Sequence, residues 1–501
     1  MELNKNKITF LLIFFIWSSL FVSINTNISY TIIFLENYLI KDLASARSIF
    51  LIISLIIVNF LIFFNLKQLF KIYNIFYLLL FSVALIQGFY FFSEEFKLFD
   101  FLTLNNFLDA KTYASVENGL KVQSLQLFIS YWVCMFFFFI FNKEENNKQI
   151  TFTFIIFIFI FCLFYLYIFM PSVYEYIFSS SLTFYHSSAF RHTSTLFNYN
   201  YEPAIRVTGV GRSLLIISII MLTVFCFIKK NFLKNLVLLF IIFLNLSIIL
   251  LGSRFSLYSL ILTYSFFIIF YKDSIKSKIK LLILFIIIPI MLSTLTINFK
   301  LNYIEYDKKI KNFLKIIKLD NQEKNILTKE NDLILNTEDT EDTEDKIKEF
   351  RYIKELKNTT GRTQIWSNLK NIYLENEKKL FGFGIQADRR LLLKFKNIYG
   401  TNSSNGLIYI LFCSGIVGFL LFLFANLIVL KKIYFFIFMK KSFSNFRDFY
   451  LINMSILIIL ILFQRSLIEN SITVFGVDYL LYIVCCYFIL SETKTLFFLK
   501  N

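Results

Sequence analysis

The feature that most constrains this chain is a succession of long apolar runs separated by short polar connections. A helix needs about 20 mostly apolar residues to cross the ~30 Å hydrocarbon core of a bilayer. Because 57% of the 501 residues are hydrophobic and only 17% are charged, the chain has more apolar surface than soluble domains bury. We therefore predict an all-α polytopic membrane protein with about 12 transmembrane helices. The predicted spans are 8–24, 47–65, 72–93, 123–141, 150–170, 207–228, 236–251, 254–271, 281–298, 407–430, 449–464 and 471–490.

The distribution of lysine predicts how these spans are oriented. Positive residues in short loops stay on the cytoplasmic side of a membrane. If Lys5 and Lys7 are cytoplasmic, every second connection is basic and the alternation never breaks. Both termini and the loop 272–280 are then inside, and the long segment 299–406 is outside. An extra helix at 28–40 stays open, although it would move the C-terminus outside.

The spans divide the chain into three parts. Nine helices lie in 1–298, a large periplasmic or external loop is 299–406, and three helices lie in 407–501. The Thr-Glu-Asp repeats of 336–345 cannot bury enough apolar surface to fold, so we predict a disordered insert. Helical periodicity in 346–396 predicts a small helical subdomain in the same loop. The periodic apolar residues are Ile353, Leu356, Ile365, Trp366, Leu369 and Tyr373.

Charge and cysteine usage exclude several classes of protein. The net charge of +17 reflects mostly the lysines that face the cytoplasm. Nucleic-acid binding would need a soluble basic domain with stacking aromatics, so no nucleic-acid partner is predicted. All six cysteines lie inside apolar runs without the spacing of a metal site or a disulfide framework. We predict no metal and no cofactor.

The arginines do not follow the lysines. Of eleven arginines, ten fall on the predicted external side and only Arg447 is inside. A guanidinium binds phosphate through a bidentate fork and keeps its charge when it is partly desolvated. We interpret the arginines at the outer edge as binding a lipid-linked diphosphate, the alternative being that each one reaches to lipid head groups. These candidates are Arg206, Arg212, Arg254, Arg362 and Arg465.

Short motifs follow one another along the second half of the chain. They are Gly252-Ser-Arg254, Gly361-Arg-Thr-Gln-Ile-Trp366 with Leu380-Phe-Gly-Phe-Gly384, Ser404-Asn-Gly through Gly415-Ile-Val-Gly418, and Arg465 with Glu469 and Asp478. Their order and membrane placement resemble the O-antigen polymerase and O-antigen ligase superfamily of polytopic bacterial membrane glycosyltransferases. The resemblance covers roughly residues 200–490.

The resemblance implies a metal-independent glycosyltransferase at the outer face of the inner membrane. Its partners would be a polyprenyl-diphosphate-linked glycan donor, a glycan acceptor and the bilayer. A diphosphate leaves readily, so the reaction needs cationic groups and a base for the acceptor hydroxyl. Arg254 and Arg362 are the candidate catalytic cations, and Glu469 is the first candidate base. Glu469 lies four residues after Arg465, so an ion pair that orients this arginine is the alternative. The next candidates for the base are Asp478, Asp388 and Glu202.

One departure from the family bears on the reaction. The ligase branch has a histidine directly before the asparagine at the end of the large loop, where this chain has Ser404. A serine hydroxyl cannot act as a base near neutral pH, which favours an oligosaccharide repeat-unit polymerase over a ligase. A lipid-linked-saccharide flippase is a third hypothesis, disfavoured because the spans are almost purely Phe, Ile and Leu. A polysaccharide chain-length regulator is a further candidate partner.

Overall fold

A computed structural model describes the central and C-terminal parts of the chain. The described residues are 75–93, 96–97, 117–140, 207–228, 230–250, 254–270, 275–299, 362–375, 377–393, 403–438, 446–475 and 478–491, with isolated residues within 52–59 and 302–310. Over these residues the fold is helical, without a β-strand. The helices are α1 Ile75–Gly88, α2 Glu117–Ile140, α3 Val207–Phe227, α4 Asn231–Leu250, α5 Arg254–Phe270, α6 Ile275–Phe299, α7 Arg362–Glu375, α8 Ala387–Leu393, α9 Gly406–Phe438, α10 Phe446–Ser466 and α11 Tyr479–Ser491.

The predicted all-α class is confirmed over the described residues, and several helices could cross a membrane. Four segments in the described part of the chain are long and apolar enough to cross one: Ile75–Phe92, Asn231–Leu250, Ile275–Phe299 and Gly406–Phe438. Shorter apolar helices lie within α3, α5, α10 and α11. The total of twelve spans stays a prediction, because 8–24 and 150–170 lie outside the described residues.

Several predicted boundaries differ from the observed helices, and α2 and α4 begin at Glu117 and Asn231, before the predicted 123 and 236. The last helix begins at Tyr479 and not at 471, because the chain turns at Phe475 with a φ of 66°. Helix α6 begins at Ile275, so most of the predicted loop 272–280 is helical. Helix α9 runs on to Phe438. In both α6 and α9 the lysines that we took for loop residues continue the helix, since lysine is a good helix former.

Helix α10 lies at the centre of the bundle. It packs against α3, α5, α9 and α11, while α9 lies along α1 and α3 lies along α4. One continuous cluster of buried apolar side chains joins these helices. Its largest fully buried members include Phe76, Tyr264, Phe285 and Tyr482. This packing fixes the ends of α3, α5, α10 and α11 relative to one another.

A buried polar cluster ties α3, α4, α5 and α6 together. The side-chain oxygen of Asn245 accepts a hydrogen bond from Ser218 at 2.7 Å, and its Nδ2 donates to the carbonyl of Phe285 at 2.9 Å. The hydroxyls of Ser218 and Tyr264 lie 2.6 Å apart. Phe285 lies in the π-helical turn Ile283–Ile287, and such a turn disturbs the regular backbone ladder. Asn245 gives this turn a partner from another helix.

Helix α9 is interrupted at Gly415, where φ is 64° and ψ is −169°. The segment 379–384, which carries one of the family-like motifs, lies against the break. Non-helical backbone inside a membrane protein needs partners from the protein itself, and this segment supplies them. Four backbone hydrogen bonds join the two: Phe383 N–H to Phe412 O at 2.9 Å, Gly384 N–H to Cys413 O at 3.0 Å, Ile416 N–H to Lys379 O at 3.0 Å, and Val417 N–H to Leu380 O at 3.1 Å.

Helices α7 and α8 form a small unit on the first turns of α9. Ile365 and Leu369 of α7 are buried with Leu392 and Phe412. This burial confirms the predicted apolar face for 362–375. Two further residues of that face, Trp366 and Tyr373, pack on the same cluster. The remaining predictions for this loop lie outside the described residues: Ile353, Leu356 and the insert 336–345.

Candidate functional site

Three helix ends meet at one carboxylate. Arg212, in the second turn of α3, places Nη1 2.5 Å from Oδ1 of Asp478. Arg465, in the last turn of α10, places Nε 3.4 Å from Oδ2 of the same acid. Asp478 directly precedes α11, and its carbonyl accepts the N–H of Tyr482 at 3.0 Å. A carboxylate is favoured at the N-terminus of a helix, so α11 also stabilises this acid.

Glu469 completes this group of charges. Its carboxylate accepts a hydrogen bond from Arg465, which confirms the ion pair expected from their spacing. The backbone N–H of Glu469 bonds the carbonyl of Arg465 at 2.7 Å, so helical geometry continues past the end of α10. The Glu469 side chain is 22% exposed, against 6% for Arg465 and Asp478. Glu469 is therefore the acid in this group that an incoming molecule reaches first.

The four side chains of Arg212, Arg465, Glu469 and Asp478 balance in charge. We name them the arginine–carboxylate cluster. Both oxygens of Asp478 are engaged, because the hydroxyl of Ser471 also donates to Oδ2. Removing one partner of a buried ion pair costs roughly 3–5 kcal/mol. Asp478 therefore fixes both arginines in place at the ends of their helices.

Arg254 is the first residue of α5, and the end of this helix lies beside the cluster. Ser259, in the second turn of α5, donates to the Oε1 atom of Gln464 at 2.9 Å. Gln464 precedes Arg465 on α10. The structure thus brings the predicted Arg254 position to the same end of the bundle as Arg212 and Arg465.

Arg362 is the first residue of α7, which is anchored close by. Trp366, one turn further on, donates from Nε1 to the carbonyl of Ser403 at 2.8 Å. Ser403 lies just before α9 and contacts the loop that carries Glu469. Two other candidates, Arg206 and Glu202, lie outside the described residues, so their parts in the site stay predictions.

Ser403 uses each of its polar groups to connect separate segments. Its N–H donates to Oδ2 of Asp388 at 2.8 Å, and its hydroxyl donates to Oδ1 of Asn470 at 3.1 Å. Its carbonyl accepts from Trp366. Ser403 is fully buried. It therefore joins α7, α8 and the loop between α10 and α11 at a single point.

Asn405 fastens the same loop at a second point. Its Nδ2 donates to the carbonyl of Leu467 at 3.0 Å, while its Oδ1 accepts from two N–H groups in the first turn of α9. An asparagine in that place is a favourable N-cap. Together with the bond between Ser403 and Asn470, this contact holds the loop on both sides of Glu469.

Ser404 lies between these two fixed points and has a φ of 46°. A positive φ at a residue other than glycine costs on the order of 1–3 kcal/mol and persists only where the surroundings enforce it. Here both neighbours of Ser404 are held against 467–470. The position where the ligase branch carries histidine is thus brought opposite the loop with Glu469, which sequence order alone did not indicate.

Two further arginines of the predicted external set hold α8 in place. Arg389 donates to the Oε1 atom of Gln123 in α2 at 3.2 Å. Arg390 donates to the carbonyl of Phe383 at 2.6 Å, and its guanidinium lies 3.7 Å from the centre of the Tyr90 ring. These contacts connect the segment 383–390 to Tyr90 and to α2.

The middle of the chain is similar to a known protein family. Residues 236–423 match the family model described as O-antigen ligase. We call 236–423 the O-antigen ligase region, because its sequence is similar to that family. The match confirms the resemblance to the O-antigen polymerase and ligase superfamily, and it reaches from α4 past the break in α9. No curated protein and no solved structure matched the chain.

The arginine–carboxylate cluster is built from residues on either side of the O-antigen ligase region. One arginine precedes this region, and the other three members follow it. The contacts of Ser259 with Gln464 and of Ser403 with Asn470 bring these outer residues against the family region. The candidate site therefore combines the family region with both of its flanks.

Proposed function

We propose that this protein polymerises polyprenyl-diphosphate-linked oligosaccharide repeat units into a surface polysaccharide, O-antigen or capsule, at the outer face of the inner membrane. The proposal rests on the O-antigen ligase family region and above all on one observation. A partly exposed carboxylate, Glu469, is held against a buried arginine, Arg465, where the ends of α3, α10 and α11 meet. This arrangement offers a base and cationic groups at one place.

In the proposed reaction one lipid-linked glycan is the donor and another supplies the acceptor hydroxyl. Glu469 takes the proton of that hydroxyl as its oxygen bonds to the anomeric carbon of the donor. The bond between this carbon and the diphosphate oxygen breaks, and the leaving diphosphate keeps the electron pair. No general acid is needed, because the diphosphate is a good leaving group. We assign no metal and no cofactor to this reaction.

The arginines bind the diphosphate and stabilise the charge that develops on it. Arg254 and Arg362 act on the reacting phosphate as catalytic cations. Fixed donors aimed at developing charge are usually the largest contribution to such a reaction. The binding set consists of Arg206, Arg212, Arg254, Arg362 and Arg465.

The ion pair of Arg465 and Glu469 couples the two parts of this mechanism. When Glu469 takes the proton, its attraction for Arg465 weakens. The positive charge of Arg465 is then less compensated at the moment when negative charge develops on the diphosphate. The pair thereby favours the transition state over the resting state, which is the requirement for catalysis.

Ligase-type transfer of a finished glycan to another carrier is the alternative within the same family. Ser404 in place of histidine supports the polymerase, because the resemblance assigns the role of base in the ligase branch to that histidine. A chain-length regulator is a proposed partner of the polymerase. A flippase is a more distant alternative.

The lipid-linked glycans of cells that lack the gene distinguish these functions. We expect a single repeat unit on the outward carrier, with polymer restored by the intact gene. Long polymer retained on polyprenyl diphosphate would instead identify a ligase. Absence of any outward lipid-linked glycan would identify a flippase.

A further inference from the structure

The large loop is fastened to the loop that carries Glu469 through one buried acid. Asp388, at the start of α8, is fully buried and accepts the N–H of Ser403 at 2.8 Å. Its Oδ2 also lies 3.5 Å from the Nδ2 of Asn470. The hydroxyl of Ser403 donates to Oδ1 of Asn470 at 3.1 Å. Asp388, Ser403 and Asn470 thus form a closed triangle of contacts, and Asn470 directly follows Glu469.

The burial of the Asp388 carboxylate in this triangle is unfavourable for the stability of the fold. Within the described part of the chain, the Oδ1 atom of Asp388 accepts no hydrogen bond. Burying a carboxylate is unfavourable unless it is fully paired, and an unsatisfied buried oxygen in a native protein needs an explanation. The arginines that follow it in sequence, Arg389 and Arg390, donate to Gln123 and Phe383.

We propose that Asp388 and Ser403 are positioning residues, which hold Asn470 and through it set the carboxylate of Glu469 against Arg465. This inference rests on the proposed role of Glu469 as the base. The two residues act through Glu469 and not on the substrate. They hold the large loop against the loop that carries Glu469, so that the two loops keep fixed positions relative to each other.

A positioning role predicts a specific split of the kinetic constants. Ser403→Ala removes the hydroxyl link to Asn470 and leaves the backbone contacts of residue 403 in place. Asp388→Ala removes the acceptor, whereas Asp388→Asn keeps a side-chain oxygen for the Ser403 N–H. We expect Ser403→Ala and Asp388→Ala to lower kcat by about tenfold. KM for the lipid-linked repeat unit should stay within about twofold, because the arginines are untouched.

The measurement uses full-length protein in membranes of the deletion strain, with lipid-linked repeat unit isolated from that strain as substrate. Asp388→Asn should recover most of the kcat lost in Asp388→Ala. Ser367→Ala and Glu377→Gln are matched controls, because both side chains are exposed on the same loop. They should leave kcat unchanged. Membrane abundance and thermal melting in detergent are compared for every variant.

A double-mutant test separates positioning from general damage. If Asp388 and Ser403 act through Glu469, neither change should lower kcat further once Glu469→Gln is present. Equal losses in both backgrounds, or full kcat in Ser403→Ala, would overturn the inference. Ser403→Ala decides the matter if Asp388→Ala does not accumulate. Full activity in Glu469→Gln would overturn both the base and its positioning, while the glycan pattern of the deletion strain tests polymerisation separately.

Discussion

The backbones of Gly382, in the segment 379–384, and Gly415, in α9, approach each other closely. A Cβ atom on Gly382 would stand 2.5 Å from the backbone nitrogen of Gly415, and one on Gly415 would stand 2.3 Å from the carbonyl oxygen of Leu380. Both glycines have positive φ angles, 74° and 64°. Glycine adopts such angles readily and leaves room for so close an approach. Two family-like motifs therefore each contribute one glycine to a single contact.

We expect Gly382→Ala and Gly415→Ala to destabilise the protein. The positive φ alone costs on the order of 1–3 kcal/mol, and the overlap with backbone atoms adds to it. Thermal melting of detergent-purified variants should show the loss. Ile416→Ala is the control, since this neighbour is 42% exposed and loses little packing. Melting unchanged in both glycine variants would contradict the docking of the loop at the break.

The two acids of the arginine–carboxylate cluster should respond differently to loss of charge. Asp478→Asn leaves the buried Arg212 without its counter-ion, so we expect a loss of about 3–5 kcal/mol in stability. Glu469→Gln should change stability by under about 1 kcal/mol, because this side chain is partly exposed. Its polymerising activity should fall by roughly 10²–10⁴, as for loss of a general base. Melting and polymer formation are measured on the same preparations, and a Glu469→Gln enzyme of normal activity would refute the base.

The polar cluster around Asn245 should contribute to the stability of the bundle. Asn245→Ala removes the partner of the Phe285 carbonyl and one partner of the Ser218 hydroxyl. Polar bonds between membrane helices are worth about 0.6 kcal/mol on average and up to about 1.7, so we expect a loss of roughly 1–3 kcal/mol in total. Ser247→Ala on the same helix is the control, since the hydroxyl of Ser247 bonds the carbonyl of Phe243 in its own helix at 2.9 Å. Equal melting of the two variants would rule out a stabilising role for the cluster.

Arginine and lysine should not be interchangeable at Arg254 and Arg362. Lysine keeps the charge but loses the planar fork. Losing one charge-assisted contact costs about 1.5–3 kcal/mol, which is roughly a ten- to hundredfold loss in rate. Polymer length is measured in cells at matched membrane abundance, with Arg447→Lys as the control on the predicted cytoplasmic side. Full-length polymer from both Arg254→Ala and Arg362→Ala would remove these residues from the diphosphate site.

The large loop should face outward. A cysteine at Thr340 should react with a membrane-impermeant thiol reagent in intact spheroplasts. A cysteine at Lys276, in the first turn of α6, should react only after the membrane is opened. The unaltered protein corrects for its native cysteines. Protection of the Thr340 cysteine would reverse the proposed orientation.

The sequence by itself determined the local features of this protein. Apolar runs predict membrane helices because the whole pattern lies within one stretch of about 20 residues. The buried face of α7, with Ile365 and Leu369, follows from helical spacing in the same way. The ion pair of Arg465 with Glu469 follows from their separation of four residues, which is about one helical turn.

Only the tertiary structure decided which distant residues meet. Arg212 and Asp478 are 266 positions apart, and Ser403 and Asn470 are 67 apart. Spans made almost entirely of Phe, Ile and Leu present similar faces in every direction, so their pattern does not encode which helices become neighbours. The packing of α3, α5, α9 and α11 around α10 determines which helices are neighbours. It brings Arg212, Arg465 and Asp478 together and places the loop with Glu469 against Ser403.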